Sequence, residues 1–335
     1  MTRGSRLLMS LACWVYDRTL PLITGEVKPE GIDLNFIPLH PGETFRRMLG
    51  YEEFDASEMS LSAFLSSREQ GRTFVGVPVF PFRVFRHSWL YVHRDARIKE
   101  PTDLKGKRIG TPEYQISACV WIRGILQHEY GVAPHDLEWH VERWGHDSHS
   151  HHVAFKGVKN VVIRNIPEGE SIQSLLLRRE LDAAFFPNTI PSIYDRSSLH
   201  SIEHALPVRR LFENFQDVEQ AYFRKTGIFP IMHTLVVKKN IYDEHKWIPM
   251  SLLKAFEEAK QLAYRRLEEP LFYSVPWLPF VLEKQYDILG ANPWKDGFKD
   301  NKQTLKTFIQ YAGEQGIISR DVEPESLFAE TVVHT

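Results

Sequence analysis

Two histidines are candidates for acid–base chemistry. His233 lies in an apolar stretch, residues 226–234, which Pro230 stiffens and which a β-branched run at 235–237 follows. Such a run predicts a buried strand, so His233 should lie where a loop enters a strand. An imidazole in that place can exchange a proton near neutral pH. The alternative is a core histidine bonded to a neighbouring carbonyl.

His87 belongs to a basic, aromatic segment at residues 80–88 that also carries Arg83 and Arg86. A guanidinium can hold a carboxylate through two parallel hydrogen bonds, which suits an anionic substrate. The segment follows a strand predicted at 74–79 and precedes another at 89–92. A surface basic loop near a hinge would show the same composition, so both interpretations stay open.

A third group of polar residues is predicted at a loop-to-helix junction. Residues 57–62, which include Glu58 and Ser60, are read as a loop that enters a helix. Serines there can cap the helix, and its free N–H groups favour an anion. Glu58 could donate a proton or orient a histidine, and a plain capping carboxylate would look the same.

Tyr114 and Gln115 are predicted at a second helix start. Thr111 would be the N-cap and Pro112 the first helical residue, with the helix running through Tyr130. The free N–H groups and the macrodipole at such a start stabilise a carboxylate. We therefore expect these two side chains to contribute to binding.

The segment after the first predicted strand, residues 7–14, supplies further candidates. It carries Trp14, Tyr16, Asp17 and Arg18 to the carboxyl end of that strand. Asp17 and Arg18 could bind a substrate or pair with each other.

The polar stretch at 144–152 invites a metal site, but zinc requires fixed geometry and an ordered second shell. A solvated insertion is the preferred interpretation, while Trp277 and Trp294 are predicted to be packing aromatics.

Strands and helices alternate along the chain, which predicts an α/β fold. The order of the segments predicts one lobe made of residues 1–98 and 235–335 and a second, inserted lobe at 99–234. Ligands of such folds bind at strand carboxyl ends and between domains, so the candidate residues should collect in an interlobe cleft. Residues 226–234 would then be the return crossover.

Composition limits the classes of function. A length of 335 residues with 43% hydrophobic content can bury a large core, and it favours two lobes over one. The formal net charge of −2 gives no indication of nucleic acid or an anionic membrane as partner. Two cysteines without a CxxC pattern suit a reducing compartment. The basic and apolar N-terminus imitates a signal peptide, but it is read as a first strand, so a cytoplasmic location is expected.

Several ordered stretches carry a family resemblance that covers about residues 8–328. The chain is similar to 4,5-dihydroxyphthalate decarboxylase, a relative of the periplasmic substrate-binding proteins. The matching stretches are VKPEGIDLN (27–35), EFDASEMS (53–60), VPVFP (77–81), FRHS (85–88), DLKGKR (103–108), GTPEYQ (110–115), GILQHEYG (124–131) and RKTGIFPIMHT (224–234). Each stretch alone is weak, whereas their order is specific.

The resemblance implies a two-lobe fold of the periplasmic-binding-protein type II class and a carboxy-lyase that needs no redox or carbonyl cofactor. A dihydroxylated aromatic dicarboxylate would lose one carboxylate after protonation of the carbon that bears it, giving protocatechuate and carbon dioxide. The expected catalytic residues are His233, His87 and Glu58. The expected substrate-binding residues are Arg86, Arg18, Asp17, Trp14, Ser60, Tyr114, Gln115, Asn188 and Thr234.

Other functions remain open at this point. The chain could decarboxylate another hydroxylated aromatic acid, or it could bind a small aromatic anion without turnover. The pyrimidine-forming enzymes of thiamine biosynthesis share the fold but carry a clustered cysteine motif that this chain lacks. The expected partner is a small aromatic dicarboxylate, with neither nucleic acid nor membrane, and a homo-oligomer is possible. Which histidine acts as acid and which as base is not assigned.

Overall fold

The first sheet collects strands from both ends of the chain. The computed structural model describes residues 6–143, 148, 153, 155, 157–186, 196–197, 208–269, 273–319 and 321–335. Within these residues the sheet has the order β2-β1-β3-β11-β4, with β1 parallel to β2 and β3, and β11 antiparallel to both its neighbours. The strands are β1 (Leu7–Cys13), β2 (Ile32–Pro38), β3 (Ala56–Ser60), β4 (Phe74–Val77) and β11 (His233–Lys238).

The second sheet is formed by the intervening chain and is mixed in direction. Its order is β10-β5-β9-β6-β7-β8 in the part of the chain that is described. The strands are β5 (Leu90–His93), β6 (Arg108–Thr111), β7 (Glu138–Val141), β8 (Val162–Asn165), β9 (Ala183–Phe185) and β10 (Val208–Arg210). The alternation of strands and helices agrees with the α/β prediction.

Helices connect the strands and cover the sheets. The α-helices are α1 (Leu20–Ile23), α2 (Pro41–Tyr51), α3 (Leu61–Glu69), α4 (Ser117–Tyr130), α5 (Ile172–Leu177), α6 (Phe215–Thr226), α7 (Lys239–Glu244), α8 (Ile248–Leu267), α9 (Leu278–Leu289) and α10 (Lys302–Glu314). Short 3₁₀ turns lie at His87–Trp89, Pro101–Leu104, Pro134–Asp136, Lys299–Asn301 and Pro324–Leu327. None of the described helices combines the length and the apolar character needed to cross a bilayer.

Strand pairing places the passage between the sheets earlier than the predicted boundary at residue 98. Strand β5 falls in the range assigned to the first lobe, yet it pairs with β9 and β10 in the second sheet. The chain therefore leaves the first sheet after β4 and enters the second at β5. It returns at β11, which begins at His233, one residue before the predicted end of the insert at 234. The division into two lobes stays a prediction.

The outgoing and returning passages lie side by side. The Met232 N–H donates to the carbonyl of Phe82 at 2.9 Å, and the Val84 N–H donates to Pro230 at 3.2 Å. This short antiparallel contact brings the end of the 226–234 stretch against the 80–88 segment. As predicted, His233 lies where this stretch enters a strand.

Two predicted element boundaries are wrong, and both concern candidate residues. Glu58 does not lie in a loop, because residues 56–60 form the buried strand β3. The helix expected to begin after Thr111 begins at Ser117 instead, and Thr111 ends β6. Tyr114 and Gln115 therefore precede the helix rather than form its first turn.

A shared hydrophobic core joins the two sheets. It includes Met59 and Phe64 beside β3 and Phe185 and Trp139 from the second sheet. Helix α10 packs on α4, where a Cβ added at Gly124 would meet the Tyr311 ring at 2.0 Å. Only glycine permits this approach, which ties the C-terminal part of the chain to the second sheet.

Candidate active site

Glu58 is the centre of a buried hydrogen-bond cluster. Its Oε1 accepts from the Tyr16 hydroxyl at 2.6 Å and lies 2.5 Å from Nδ1 of His233. Its Oε2 accepts from the Trp14 backbone N–H at 3.0 Å and from the Cys13 thiol at 3.4 Å. Both carboxylate oxygens are therefore occupied by donors, as a buried ionised carboxylate requires.

The strand register explains why these groups meet. Strand β3 lies between β1 and β11, and His233 pairs with Ser60 across the antiparallel ladder. Because directly opposed residues share a face and the side-chain period is two, Glu58, Ser60 and His233 project to the same side. The carboxyl end of β1 adds Cys13 and then delivers Trp14 and Tyr16. The cluster thus depends on three strands that are distant in sequence.

The electrostatics of the cluster favour an ionised glutamate. Burial acts to raise the pKa of Glu58, but the charge of His233 and the hydrogen bonds from His233, Tyr16 and Trp14 hold that pKa below its ordinary value. The pKa values of Cys13 and Tyr16 are raised, first by burial and then by the nearby Glu58 charge. Both groups therefore remain protonated donors.

An ionised Glu58 fixes the tautomer of His233. A carboxylate only accepts hydrogen bonds, so Nδ1 must carry the donated proton. Within the part of the chain that is described, Nε2 makes no hydrogen bond, and the side chain is 12% exposed. A second nitrogen positioned in this way can receive or deliver a proton.

Aromatic side chains enclose the pair. The His233 ring contacts Phe45 and Phe82 at centroid distances of 4.9 and 5.0 Å, and Tyr16 stacks on Phe82 at 6.1 Å. The guanidinium of Arg86 lies 5.9 Å from the same Phe82 ring. Phe82 thereby contacts both the candidate acid–base residue and a candidate anion-binding cation.

Arg86 is fully buried beside this group. Its Nε lies 3.2 Å from the Met232 sulfur, one residue before His233. Burial lowers the pKa of Arg86 to about 9, with the nearby Cys119 and Glu219 acting in the opposite direction. The guanidinium therefore remains a cation at neutral pH.

Three serine hydroxyls meet where α3 and α4 begin. The Ser60 and Ser117 hydroxyl oxygens are 2.8 Å apart, and the Ser62 N–H donates to Ser117 at 3.0 Å. Ser60 was predicted as a binding residue, whereas Ser62 and Ser117 were not. Ser62 belongs to the same 57–62 segment as Ser60, whereas Ser117 is distant in sequence and is brought to them by the approach of α3 to α4.

Arg18 and Asp17 pair with each other, which was one of the two interpretations of the sequence. Arg18 Nη1 lies 2.8 Å from Asp17, and its Nε donates to the Pro81 carbonyl at 3.0 Å. The guanidinium lies between the rings of Tyr16 and Trp294, 4.4 and 4.5 Å from their centroids. Trp294 is thus a packing aromatic beside the cluster, while the packing prediction for Trp277 is wrong, since that side chain is 74% exposed.

His87 is not part of the Glu58 cluster. Its ring is fully buried and contacts Phe212, Tyr222 and Tyr130, none of which touches His233. Neither ring nitrogen has a hydrogen-bond partner in the described chain. Burial lowers the pKa of His87 to about 4, so the ring is neutral at physiological pH. These contacts do not bring the two rings together, and the expected facing of His87 and His233 across one substrate stays a prediction.

The other predicted residues divide between the cluster and the core. Trp14 contributes its backbone N–H to Glu58, and its ring meets His40. The Thr234 hydroxyl donates to the Val77 carbonyl at 3.2 Å, which indicates a structural role. Tyr114 is buried against Phe155, Trp139 and Arg123, and Gln115 is half-buried beside it.

Some predictions concern residues outside the described ranges. Asn188 is one of them, as are the histidines of the polar stretch, His146, His149, His151 and His152. Among the residues that are described, no group of three or more His, Cys, Asp or Glu side chains could hold a metal ion.

Tyr16 and Cys13 belong to the cluster but were not among the predicted site residues. Trp14, Asp17 and Arg18 were chosen because they follow β1, and Tyr16 follows the same strand. The available signal was its place at the carboxyl end of a central parallel strand.

Solved structures define the class of fold. The periplasmic aliphatic sulphonate binding protein SsuA from Escherichia coli aligns with a TM-score of 0.53 and 11% identity, covering 99% of this chain and 100% of that one. The chain therefore has the two-sheet α/β architecture of the periplasmic binding proteins, as expected from the sequence. At this identity the similarity concerns the fold alone.

Sequence relatives define the family. No family model matches the chain. The 4,5-dihydroxyphthalate decarboxylase of Comamonas testosteroni is 37% identical over 328 residues, which is 97% of each chain. The protein of the same name from Pseudomonas putida is 36% identical over 191 residues, 57% of this chain and 74% of that one. This chain belongs to the 4,5-dihydroxyphthalate decarboxylase family.

Proposed function

We propose that this protein removes one carboxylate from 4,5-dihydroxyphthalate, giving protocatechuate and carbon dioxide. The observation that carries the proposal is the Glu58–His233 pair, a buried carboxylate bound to one imidazole nitrogen at 2.5 Å while the other nitrogen makes no hydrogen bond in the described chain. This arrangement supplies the proton transfer that the reaction of the family requires. The substrate itself is supported by the two relatives.

The reaction begins with proton transfer to the ring carbon that bears the leaving carboxylate. The phenol oxygen para to this carbon pushes electron density towards it, and Nε2–H of His233 supplies the proton. A C–H bond forms, and the ring temporarily loses aromaticity. Glu58 stabilises the imidazolium that precedes transfer and keeps the ring oriented.

Carbon–carbon cleavage then restores aromaticity. The electron pair of the breaking bond returns to the ring, and the carboxylate leaves as carbon dioxide. One proton is consumed for each carbon dioxide released, so His233 must be reprotonated before the next turnover. The balance needs no oxidant or reductant.

The retained carboxylate requires a cationic partner. Arg86 is the buried cation that shares Phe82 with His233, and a guanidinium suits a carboxylate geometrically. The N–H groups that begin α3 and α4 lie beside Ser60 and Ser117 and add partial positive charge. These groups would hold the substrate while His233 reaches the reacting carbon.

A direct assay tests the proposal. Purified protein is incubated with 4,5-dihydroxyphthalate, and carbon dioxide and protocatechuate are measured together. Equal amounts of both products are expected, and unsubstituted phthalate should give none because it lacks the para phenol. Tight binding of 4,5-dihydroxyphthalate without product would instead identify a binding protein, and turnover of a different hydroxylated aromatic acid alone would change the substrate.

We also propose a cytoplasmic location. Cys13 and Cys119 are both free and buried, which agrees with a reducing compartment. Cell fractionation followed by immunodetection tests this, and recovery in the periplasmic fraction would contradict it.

A further inference from the structure

Tyr16 combines a ring and a hydroxyl with separate contacts. The ring stacks on Phe82 and lies against the guanidinium of Arg18. The hydroxyl donates to Oε1 of Glu58 at 2.6 Å, the same oxygen that binds His233. A change that removes only the hydroxyl therefore leaves the packing of the ring in place.

The shared oxygen couples Tyr16 to the acid–base group. Oε1 receives two strong donors, so the negative charge that faces His233 depends on both of them. Without the hydroxyl, Glu58 becomes a stronger base and draws the Nδ1 proton more strongly. The hydrogen bond that Tyr16 donates to this shared oxygen can thus control the protonation and orientation of the imidazole.

We propose that Tyr16 is a positioning residue that sets the protonation of the Glu58–His233 pair through its hydroxyl, without contact with the reacting atoms. This proposal rests on the proposed function for its catalytic consequence. Its structural content, the coupling of a tyrosine hydroxyl to the titration of a histidine, can be tested in the resting protein.

The groups that surround Glu58 determine how its pH dependence is interpreted. Cys13, Tyr16 and Arg18 face it from β1 and the segment that follows, and His233 faces it from β11. The described contact of the pair with helix α2 is through Phe45, which does not titrate. Burial and the Glu58 charge raise the pKa values of Cys13 and Tyr16, so both stay protonated near neutral pH and add no charge beside the pair.

The experiment compares Tyr16→Phe with Tyr222→Phe. Tyr222 is a matched control because its hydroxyl is also buried while its ring contacts lie in the second sheet region, away from Glu58. Two readouts are measured for each variant: the pH profile of decarboxylation, and the titration of the His233 imidazole by nitrogen-15 NMR without substrate.

Tyr16→Phe should raise the apparent pKa values of the pair by about one unit, since a hydrogen bond to a charged group is lost. The acid limb of the kcat profile should move to higher pH by a similar amount. At a fixed pH on that acid limb kcat should fall about tenfold, with KM unchanged within about twofold. Tyr222→Phe should leave the profile and the titration unchanged.

An unchanged His233 titration in Tyr16→Phe would overturn the proposal, whatever the activity. A loss confined to KM would also overturn it, because it would place the hydroxyl on the substrate. If the wild-type protein does not turn over 4,5-dihydroxyphthalate, the proposed function fails, and the NMR titration still decides whether Tyr16 controls the pair.

Discussion

The two histidines differ in the partner that each finds on folding. His233 lies at the start of β11 with one nitrogen held by Glu58 and a side chain that is 12% exposed. His87 lies in a 3₁₀ turn, fully buried among Phe212, Tyr222 and Tyr130, with neither nitrogen hydrogen-bonded in the described chain. Both rings contact aromatics, so the aromatic surroundings do not distinguish them.

The difference lies in a single carboxylate. Burial alone disfavours the imidazolium, and it lowers the pKa of His87 to about 4. An adjacent ionised carboxylate offsets that effect by stabilising the positive charge. His233 has such a carboxylate partner, whereas His87 has none in the described chain and stays neutral. Under the proposed function, this difference makes His233 the proton-transfer histidine and leaves His87 in a structural role.

The largest effect is expected on replacing His233. In His233→Ala the group that transfers the proton is lost, so kcat should fall by about 10²–10⁴-fold. Steady-state release of protocatechuate measures this, and circular dichroism confirms that the variant is folded. Retention of more than a tenth of the wild-type kcat would remove His233 from the mechanism.

Glu58→Gln tests whether the carboxylate is what distinguishes His233 from His87. The neutral amide keeps the shape but no longer stabilises the imidazolium, and its N–H₂ cannot accept from Nδ1. We expect a loss in kcat of about 10²-fold or more, by analogy with other carboxylate–histidine pairs. The measurement is again steady-state turnover, with Asp182→Asn as a carboxylate-to-amide control, because Asp182 pairs with Arg108 at the start of β6. Equal losses in the two variants would show that the Glu58 effect is not specific.

His87 should affect stability rather than catalysis. Because its folded pKa of about 4 lies below the ordinary value of 6.5, the unfolded chain binds the proton first as pH falls. This contribution to stability is complete above pH 6.5 and is lost progressively down to about pH 4. The loss amounts to about 3 kcal/mol at most.

In His87→Leu this part of the pH dependence should disappear, because leucine does not bind a proton. The kcat value should stay within about threefold of wild type. Urea unfolding at pH 7.0 and pH 4.5 measures the difference between the two proteins. A folded His87→Leu protein whose kcat falls by 10²-fold would restore the predicted catalytic role of His87 and break the comparison.

The smallest effect concerns the thiol. Cys13 donates to Glu58 at 3.4 Å, and a thiol is a weak donor. Cys13→Ala should lower kcat by no more than about threefold, because three stronger donors remain on the carboxylate, and should cost about 1 kcal/mol of stability. Turnover and urea unfolding at pH 7 measure the two effects. A kcat loss as large as that of Glu58→Gln would give the thiol a direct role.

Several features were accessible from the sequence because they depend on local pattern. The β-branched run after His233 correctly predicted β11, and the alternation of strand and helix patterns predicted the α/β class. The ordered stretches also identified the family. By contrast, residues 57–60 were predicted to lie in a loop, since serines favour caps and turns and glutamate is a poor strand former. Burial between β1 and β11 overrides that preference.

The sequence by itself determined the fold class, the family and the place of His233 at the start of a strand. These follow from patterns with periods of two to four residues and from motifs read in order. Only the tertiary structure decided that Glu58 binds His233 and that His87 lies apart. Glu58 and His233 are 175 residues apart in the chain, and no local pattern records which strands become neighbours. Strand order and register made that choice, and with it they separated the histidine that has a carboxylate partner from the one that does not.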